Sequence, residues 1–273
     1  YNALSTEDGH GSNTAIGASA LSVQNAGANA FNTAVGASAG LAVTTGVQNT
    51  LIGGLAGDAS TTGNENTAIG YGSLSASTTA SNNVAVGATA LLTNTTGAEN
   101  TAIGRRALFS STTASNNTAV GSNALLSNTT GTRNAALGTY SLDANTTADD
   151  NTGVGYAALS DNTTGASNTA FGSEALLFNT TASNNTAVGS DALRVNTTGN
   201  QNVSVGASSL TANTTGNNNV SVGMNTMVAN TTGAQNTALG KAALATNTTG
   251  ASNTAIGYAS LLSNTTAGSN TAV

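Results

Sequence analysis

The stretch Asn83-Val84-Ala85-Val86-Gly87-Ala88-Thr89-Ala90-Leu91-Leu92-Thr93-Asn94-Thr95-Thr96-Gly97-Ala98-Glu99 decides the fold, because Asn100-Thr101-Ala102-Ile103-Gly104 begins the same pattern again 17 residues later. Working outward, the glycine recurs at Gly17, Gly36, Gly53 and Gly70 and then every 17 residues as far as Gly257. Only the first step is longer, at 19 residues, and the extra pair is predicted as a bulged loop within residues 18–31. A fixed period of this length marks a stacked repeat rather than an ordinary domain.

Counting from that glycine as position 0, the other fixed positions fall into place. Position −4 is Asn in every unit, from Asn13 and Asn32 to Asn253 and Asn270. Position −1 is a large apolar residue, as at Ile16, Val35, Ile52, Leu137 and Phe171. Position +4 is Leu from Leu74 onward, with Met227 the exception. Positions −2 (Ala85, Ala102, Ala119) and +3 (Ala90, Ala107, Ala124) stay small. Beyond the first ten residues every charge lies on a variable position, among them Asp58, Glu65, Arg105, Arg106, Asp143, Glu174, Arg194 and Lys241. Charges confined to one set of phases mark the positions that face water.

The unit predicts an all-β parallel β-solenoid, or β-roll, of about 16 coils at the spacing of parallel strands, about 4.8 Å. Asn-Thr-Ala-Val forms one strand of each coil, and Ala-Leu-x-x-Asn-Thr-Thr is expected to hold a second. Alternation then sends Val86 and its equivalents to one face and Ala85 to the other, with one Val and one Leu buried per coil. Gly at position 0 supplies a turn that other residues resist. The second turn carries Gly97, Ala114, Gly131 or Ala148, so no positive φ is expected there. Stacking turns Asn13 through Asn270 into one amide ladder, and Asn94, Asn128, Asn145 and Asn162 into another beside the Thr pairs. A helical solenoid is disfavoured: 17 residues rich in Gly, Thr and Asn are a poor helical unit, and helical repeats run to about 33 residues or more.

A coil this thin buries little apolar surface. The Ala rows are expected to let a second chain approach closely, which predicts lateral self-association as a homotrimer. Residues 1–273 read as a single repeat array. Tyr1-Asn2-Ala3-Leu4 matches Tyr156-Ala157-Ala158-Leu159, and Thr271-Ala272-Val273 stops mid-unit. The expectation is therefore a segment of a longer fibre, since solenoids need atypical capping units.

Composition narrows the function. Only 6% of residues are charged and 3% aromatic, against roughly 25% charged in a typical domain. A net charge of −6 with five basic residues, and Arg105-Arg106 the one adjacent pair, opposes a nucleic-acid partner. No apolar run reaches the length of about 18 residues that spans a membrane. Zero Cys removes disulfides and thiolate metal sites.

No catalytic, cofactor-binding or metal site is predicted, and the chain is not expected to be an enzyme. His10 is the only His, and with Glu7 and Asp8 beside it a solvated loop is the better reading than a metal site. No Ser has a plausible base for triad chemistry. Asp149-Asp150 lies on a turn where other units have Ser or Asn, which predicts a surface patch rather than a paired-carboxylate site. Asn-Thr-Thr is an N-glycosylation sequon, as at Asn94 and Asn264. A polar ladder explains its repetition without a modification.

Asn83-Val84-Ala85-Val86-Gly87, Asn202-Val203-Ser204-Val205-Gly206 and Asn219-Val220-Ser221-Val222-Gly223 resemble the repeats of trimeric autotransporter adhesin heads. Asn253-Thr254-Ala255-Ile256-Gly257 through Asn264-Thr265-Thr266 is also similar to repeats of bacterial and phage tail-fibre proteins. The resemblance covers the whole chain. It departs from the adhesin heads in its strict 17-residue period and its Asn-Thr-Thr row. It implies a left-handed β-roll, trimerisation, an extracellular or virion location and attachment to a host-surface protein or glycan. The function expected is thus a structural and adhesive fibre segment. The alternative is an ice-binding solenoid using rows such as Thr95-Thr96, Thr129-Thr130 and Thr146-Thr147, although strand alternation turns only one Thr of each pair outward.

Overall fold

A computed structural model describes residues 2–7 and 11–273. They form two compact units, Tyr1–Asn134 and Ala135–Val273. The first holds strands β1 (Thr14–Ile16), β2 (Thr33–Val35), β3 (Thr50–Ile52), β4 (Thr67–Ile69), β5 (Val84–Val86), β6 (Thr101–Ile103) and β7 (Thr118–Val120). The second holds β8 (Ala135–Leu137), β9 (Thr152–Val154), β10 (Thr169–Phe171), β11 (Thr186–Val188), β12 (Val203–Val205), β13 (Val220–Val222), β14 (Thr237–Leu239), β15 (Thr254–Ile256) and β16 (Thr271–Ala272). Within each unit consecutive strands pair in parallel, phase on phase, as in Val84↔Thr101, Ala85↔Ala102 and Val86↔Ile103. The fold is a β-solenoid with one coil per 17-residue unit.

The long first step keeps its register through Asn25, whose N–H donates to Thr44 O at 2.9 Å. The extra pair is absorbed between Asn25 and Asn32, as a loop.

Each coil contains one strand, not two. After the glycine the chain runs through consecutive tight turns, with left-handed backbone at +2 and +4: Arg106 has φ 58° and Leu108 φ 51°. A left-handed conformation costs a non-Gly residue roughly 1–2 kcal/mol. Hydrogen bonding offsets it, by turn bonds and stack bonds taken alternately. Ala107 N–H donates to Gly104 O at 3.3 Å within the coil, and Leu108 N–H to Ala124 O at 3.0 Å in the next. The segment expected as a second strand is therefore satisfied without strand geometry.

The two faces of the strand are also the reverse of the expectation. Ala85, Ala102 and Ala119 are fully buried, as are Ala90, Ala107 and Ala124. The side chains at −1 point to solvent, with Ile103 40% and Phe171 57% exposed. The cause is the asparagine. Positions −4 and −2 share a face, and Asn at −4 is drawn inside by its ladder, so Ala follows it inward and Val or Ile turns out. The Ala rows line the core and are not open to another chain.

The core is a column of Leu at +4 flanked by Ala, with substitutions matched across coils. Gly40 and Gly57 stand where Leu belongs, at φ +59° and +56°. Leu51 replaces the usual Ala at −2, and its Cδ atoms lie 2.7 Å from where a Cβ on either glycine would sit. One Leu fills the volume that two coils vacate. Elsewhere the swap is polar. Ser209 Oγ donates to Ser221 Oγ at 2.7 Å, and Ser221 Oγ to Thr226 O at 3.1 Å, so hydroxyls that replace core Ala come in bonded sets.

Candidate functional site

The interior is closed by its polar ladders. In the −4 ladder Asn83 Oδ1 accepts from Asn100 N–H at 3.0 Å and from its Nδ2 at 3.2 Å. Asn100 Nδ2 also donates to Ala114 O at 2.8 Å. The second ladder, at +7, runs without a break from Asn145 to Asn264. Each Nδ2 donates to the Asn of the coil before it, as Asn213 does to Asn196 Oδ1 at 2.8 Å. In residues 1–134 Gln24 and Val43 begin that row, and further along it is interrupted by Ser60, Ser77 and Ser111. Their buried hydroxyls, and Asn94 Oδ1 between two of them, have no partner among the described residues. A serine is too short to span the interval that the amide bridges.

These ladders settle where the sequon asparagines sit. Asn94, Asn162, Asn179 and Asn213 are fully buried, and Asn94 Nδ2 donates to Gly97 O at 2.9 Å. No glycan fits on such a nitrogen in the folded coil, whereas Asn264 is half-buried, its Nδ2 donating to Asn247 Oδ1 at 2.9 Å.

What remains for recognition is the outside, and apart from the turn at +11 and +12, where Glu65, Glu99 and Asp150 are exposed, it has three faces. The first is the strand face, carrying Thr or Val at −3 and the apolar row at −1. The second is the Thr-Thr edge at +8 and +9, which lies in bends rather than a strand. The +8 hydroxyl is taken up by the stack, as in Thr95 Oγ1 donating to Thr112 O at 2.9 Å and Thr163 Oγ1 to Thr180 O at 3.0 Å. The +9 residues, such as Thr164, Thr181 and Thr198, are exposed. One row of each pair thus faces water, as expected, although hydrogen bonding rather than strand alternation decides which.

The third face is the edge formed by +1, +2, +5 and +6, where aromatic and charged residues gather. Arg106 lies over Phe109, 4.7 Å from the ring centre. Tyr140 and Tyr156 meet edge to face at 6.4 Å. Arg194 Nε donates to Glu174 Oε2 at 2.6 Å and stacks over Phe178 at 5.1 Å. Ser75 and Ser160 donate to Asp58 and Asp143 of the preceding coils, each at 2.5 Å. Burial, with a smaller contribution from the Asp161 charge, holds the Asp143 carboxyl above the usual carboxylate range, against the opposing Ser160 hydrogen bond.

Every charge named from the sequence within the described residues is half-buried or exposed, and the Asp149-Asp150 pair lies on a surface turn. His10 and Asp8 lie outside the described residues. Among the described residues no pocket opens, and no three His, Cys, Asp or Glu converge on a metal-sized site. The outward apolar row was missed in the sequence, although Asn at −4 was the signal for it. The chain matches no family model, and no curated protein matches it.

Proposed function

We propose that this chain is a segment of an extracellular fibre, on a cell surface or a virion, that self-associates laterally and serves attachment. One observation carries the reading. The strand face presents an apolar side chain to water at −1 in every coil, in register, and in residues 135–273 that row runs for roughly 35 Å at the spacing of parallel strands. Contiguous apolar surface beyond a few hundred Å² marks an interaction site. The interior ladders hold the stack, while the outer edge varies from coil to coil, as suits a shaft that displays recognition residues. Three chains is the state that the adhesin resemblance implies.

Sedimentation velocity tests this. The chain is expected to sediment as an oligomer, and Val188→Lys, Val205→Lys and Val222→Lys together are expected to yield a folded monomer. A wild-type chain that stays monomeric when concentrated and folded when dilute sinks the reading. Ice binding retains one exposed Thr row at +9, so thermal hysteresis on the same sample separates the two functions. Phe171 and Leu137 break the regularity of the strand face, which leaves that Thr row as the one surface for ice to match.

A further inference from the structure

The variable edge of residues 135–273 already shows how it holds a cation. Arg194, at +5, donates from Nε to Glu174 Oε2 at 2.6 Å and lies 3.4 Å from Asp191 Oδ1. Its guanidinium sits 5.1 Å from the centre of the Phe178 ring. An aromatic face with carboxylates at fixed positions is the complement of a guanidinium, by ring electrostatics and by charge-assisted hydrogen bonds.

Two coils earlier the same edge again carries aromatic rings and carboxylates, without the cation and at other positions, since Ala144 and Ala157 stand in the places of Phe178 and Asp191. Ser160 stands at +5, the place of Arg194, and Tyr140 at +2 of the preceding coil stands in the place of Glu174. Asp143 accepts a hydrogen bond from Ser160 at 2.5 Å. Asp161 follows Ser160 directly and acts on Asp143 as a like charge. The rings of Tyr140 and Tyr156 meet at 6.4 Å and are 41% and 55% exposed. Neither carboxylate has a basic partner among the described residues, and Asp143 stays partly buried without one. Asp143 thus contacts a small serine, with the Asp161 charge acting on it and the Tyr140–Tyr156 ring pair on the same edge.

We propose that Tyr140, Asp143, Tyr156 and Asp161 form a docking site for a basic side chain of a partner polypeptide, arginine in preference to lysine, seated over Ser160 as Arg194 is seated two coils on. Arginine is preferred because its planar fork both stacks on a ring and bonds a carboxylate, whereas an ammonium is a point charge. The chain's net charge of −6 draws such a partner in. The inference takes its setting from the attachment reading, but the site is tested in solution whatever the assembly does.

The test is calorimetric titration of the full chain with tetra-arginine and tetra-lysine peptides. Asp143→Asn with Asp161→Asn, and separately Tyr140→Ala with Tyr156→Ala, are expected to weaken tetra-arginine binding by at least about tenfold. Glu65→Gln with Glu99→Gln removes the same charge elsewhere and is expected to change it by less than about twofold. Ser160→Arg keeps all four site residues and fills the site from within. It is expected to abolish peptide binding while circular dichroism stays unchanged. Equal losses in the site and control pairs would show a general attraction of basic peptide to acidic chain and overturn the site. So would undetectable binding to the wild type, or full binding to Ser160→Arg. Sedimentation of the same variants reports on the assembly independently.

Discussion

Gly104 has φ +133°, and a Cβ there would lie 2.5 Å from Gly121 O in the next coil. Conformation and contact each exclude a side chain, so Gly104→Ala is expected to destabilise by at least about 2 kcal/mol, read from the urea midpoint. The reverse opportunity lies at Ser111. Its hydroxyl and the neighbouring Asn94 Oδ1 are buried and unpartnered. Ser111→Asn supplies an Nδ2 that reaches Asn94 Oδ1, as Asn162 Nδ2 reaches Asn145 Oδ1 at 3.1 Å. A gain of about 1 kcal/mol in the same assay is expected, the net value of a buried hydrogen bond. Residue preferences alone conceal part of this. Leu has no liking for positive φ, so the left-handed turns at +2 and +4 are invisible in Leu108. They are legible only in Gly40, Gly57 and Gly72, which fall on those same phases.

A ladder behaves as an element in its own right. Asn213 Nδ2 donates to Asn196 Oδ1 at 2.8 Å, and its own Oδ1 accepts from Asn230 at 3.1 Å. Asn213→Ala breaks both bonds, and that from Nδ2 to Gly216 O at 3.0 Å, and leaves an orphaned acceptor, for an expected loss of about 2–4 kcal/mol. Asn94→Ala loses one bond, to a Gly97 carbonyl that also accepts from Asn83 at 3.0 Å, so about 1 kcal/mol is expected. Comparing the two urea midpoints checks whether continuity, rather than burial, is what the amide contributes. Asp143 adds a pH test. Its folded value is raised above the ordinary 3.8, chiefly by burial. The folded state therefore binds this proton more tightly than the unfolded state does. Stability is lost as pH rises from 3.8 through the folded value and is regained on acidification. Asp143→Asn is expected to be more stable than wild type at neutral pH, with the difference closing as pH falls to 3.8. At this scale the period, the invariant Gly and Asn and the solvent-facing charges are all plain in the sequence. The orientation of the strand is not, because hydropathy places Val86 inside. Only the alternation that ties Ala85 to Asn83 places it outside.

Across the whole molecule, coils are alike enough to invite removal. Deleting residues 87–103 joins Val86 to Gly104 and leaves every remaining core position filled as before, Leu51 still beside Gly40 and Gly57. A folded chain with a modest loss of stability is expected. Deleting residues 50–66 removes the same length but takes Leu51 away from Gly40. The hollow left behind is of leucine size and is expected to cost a further 2–5 kcal/mol or so in the urea midpoint, as large-to-small core changes do. The contrast bears on how such an array can change with time. Were such a tract to gain or lose units, any unit carrying its own Ala, Leu, Asn and Gly is expected to be exchanged at little cost to the core. Gly40, Leu51 and Gly57 are not. They make sense only together, so a crossover between them is expected to leave a hollow or a clash. That stretch, like the Ser209, Ser221 and Thr226 set, is expected to resist the exchange that the uniform coils tolerate.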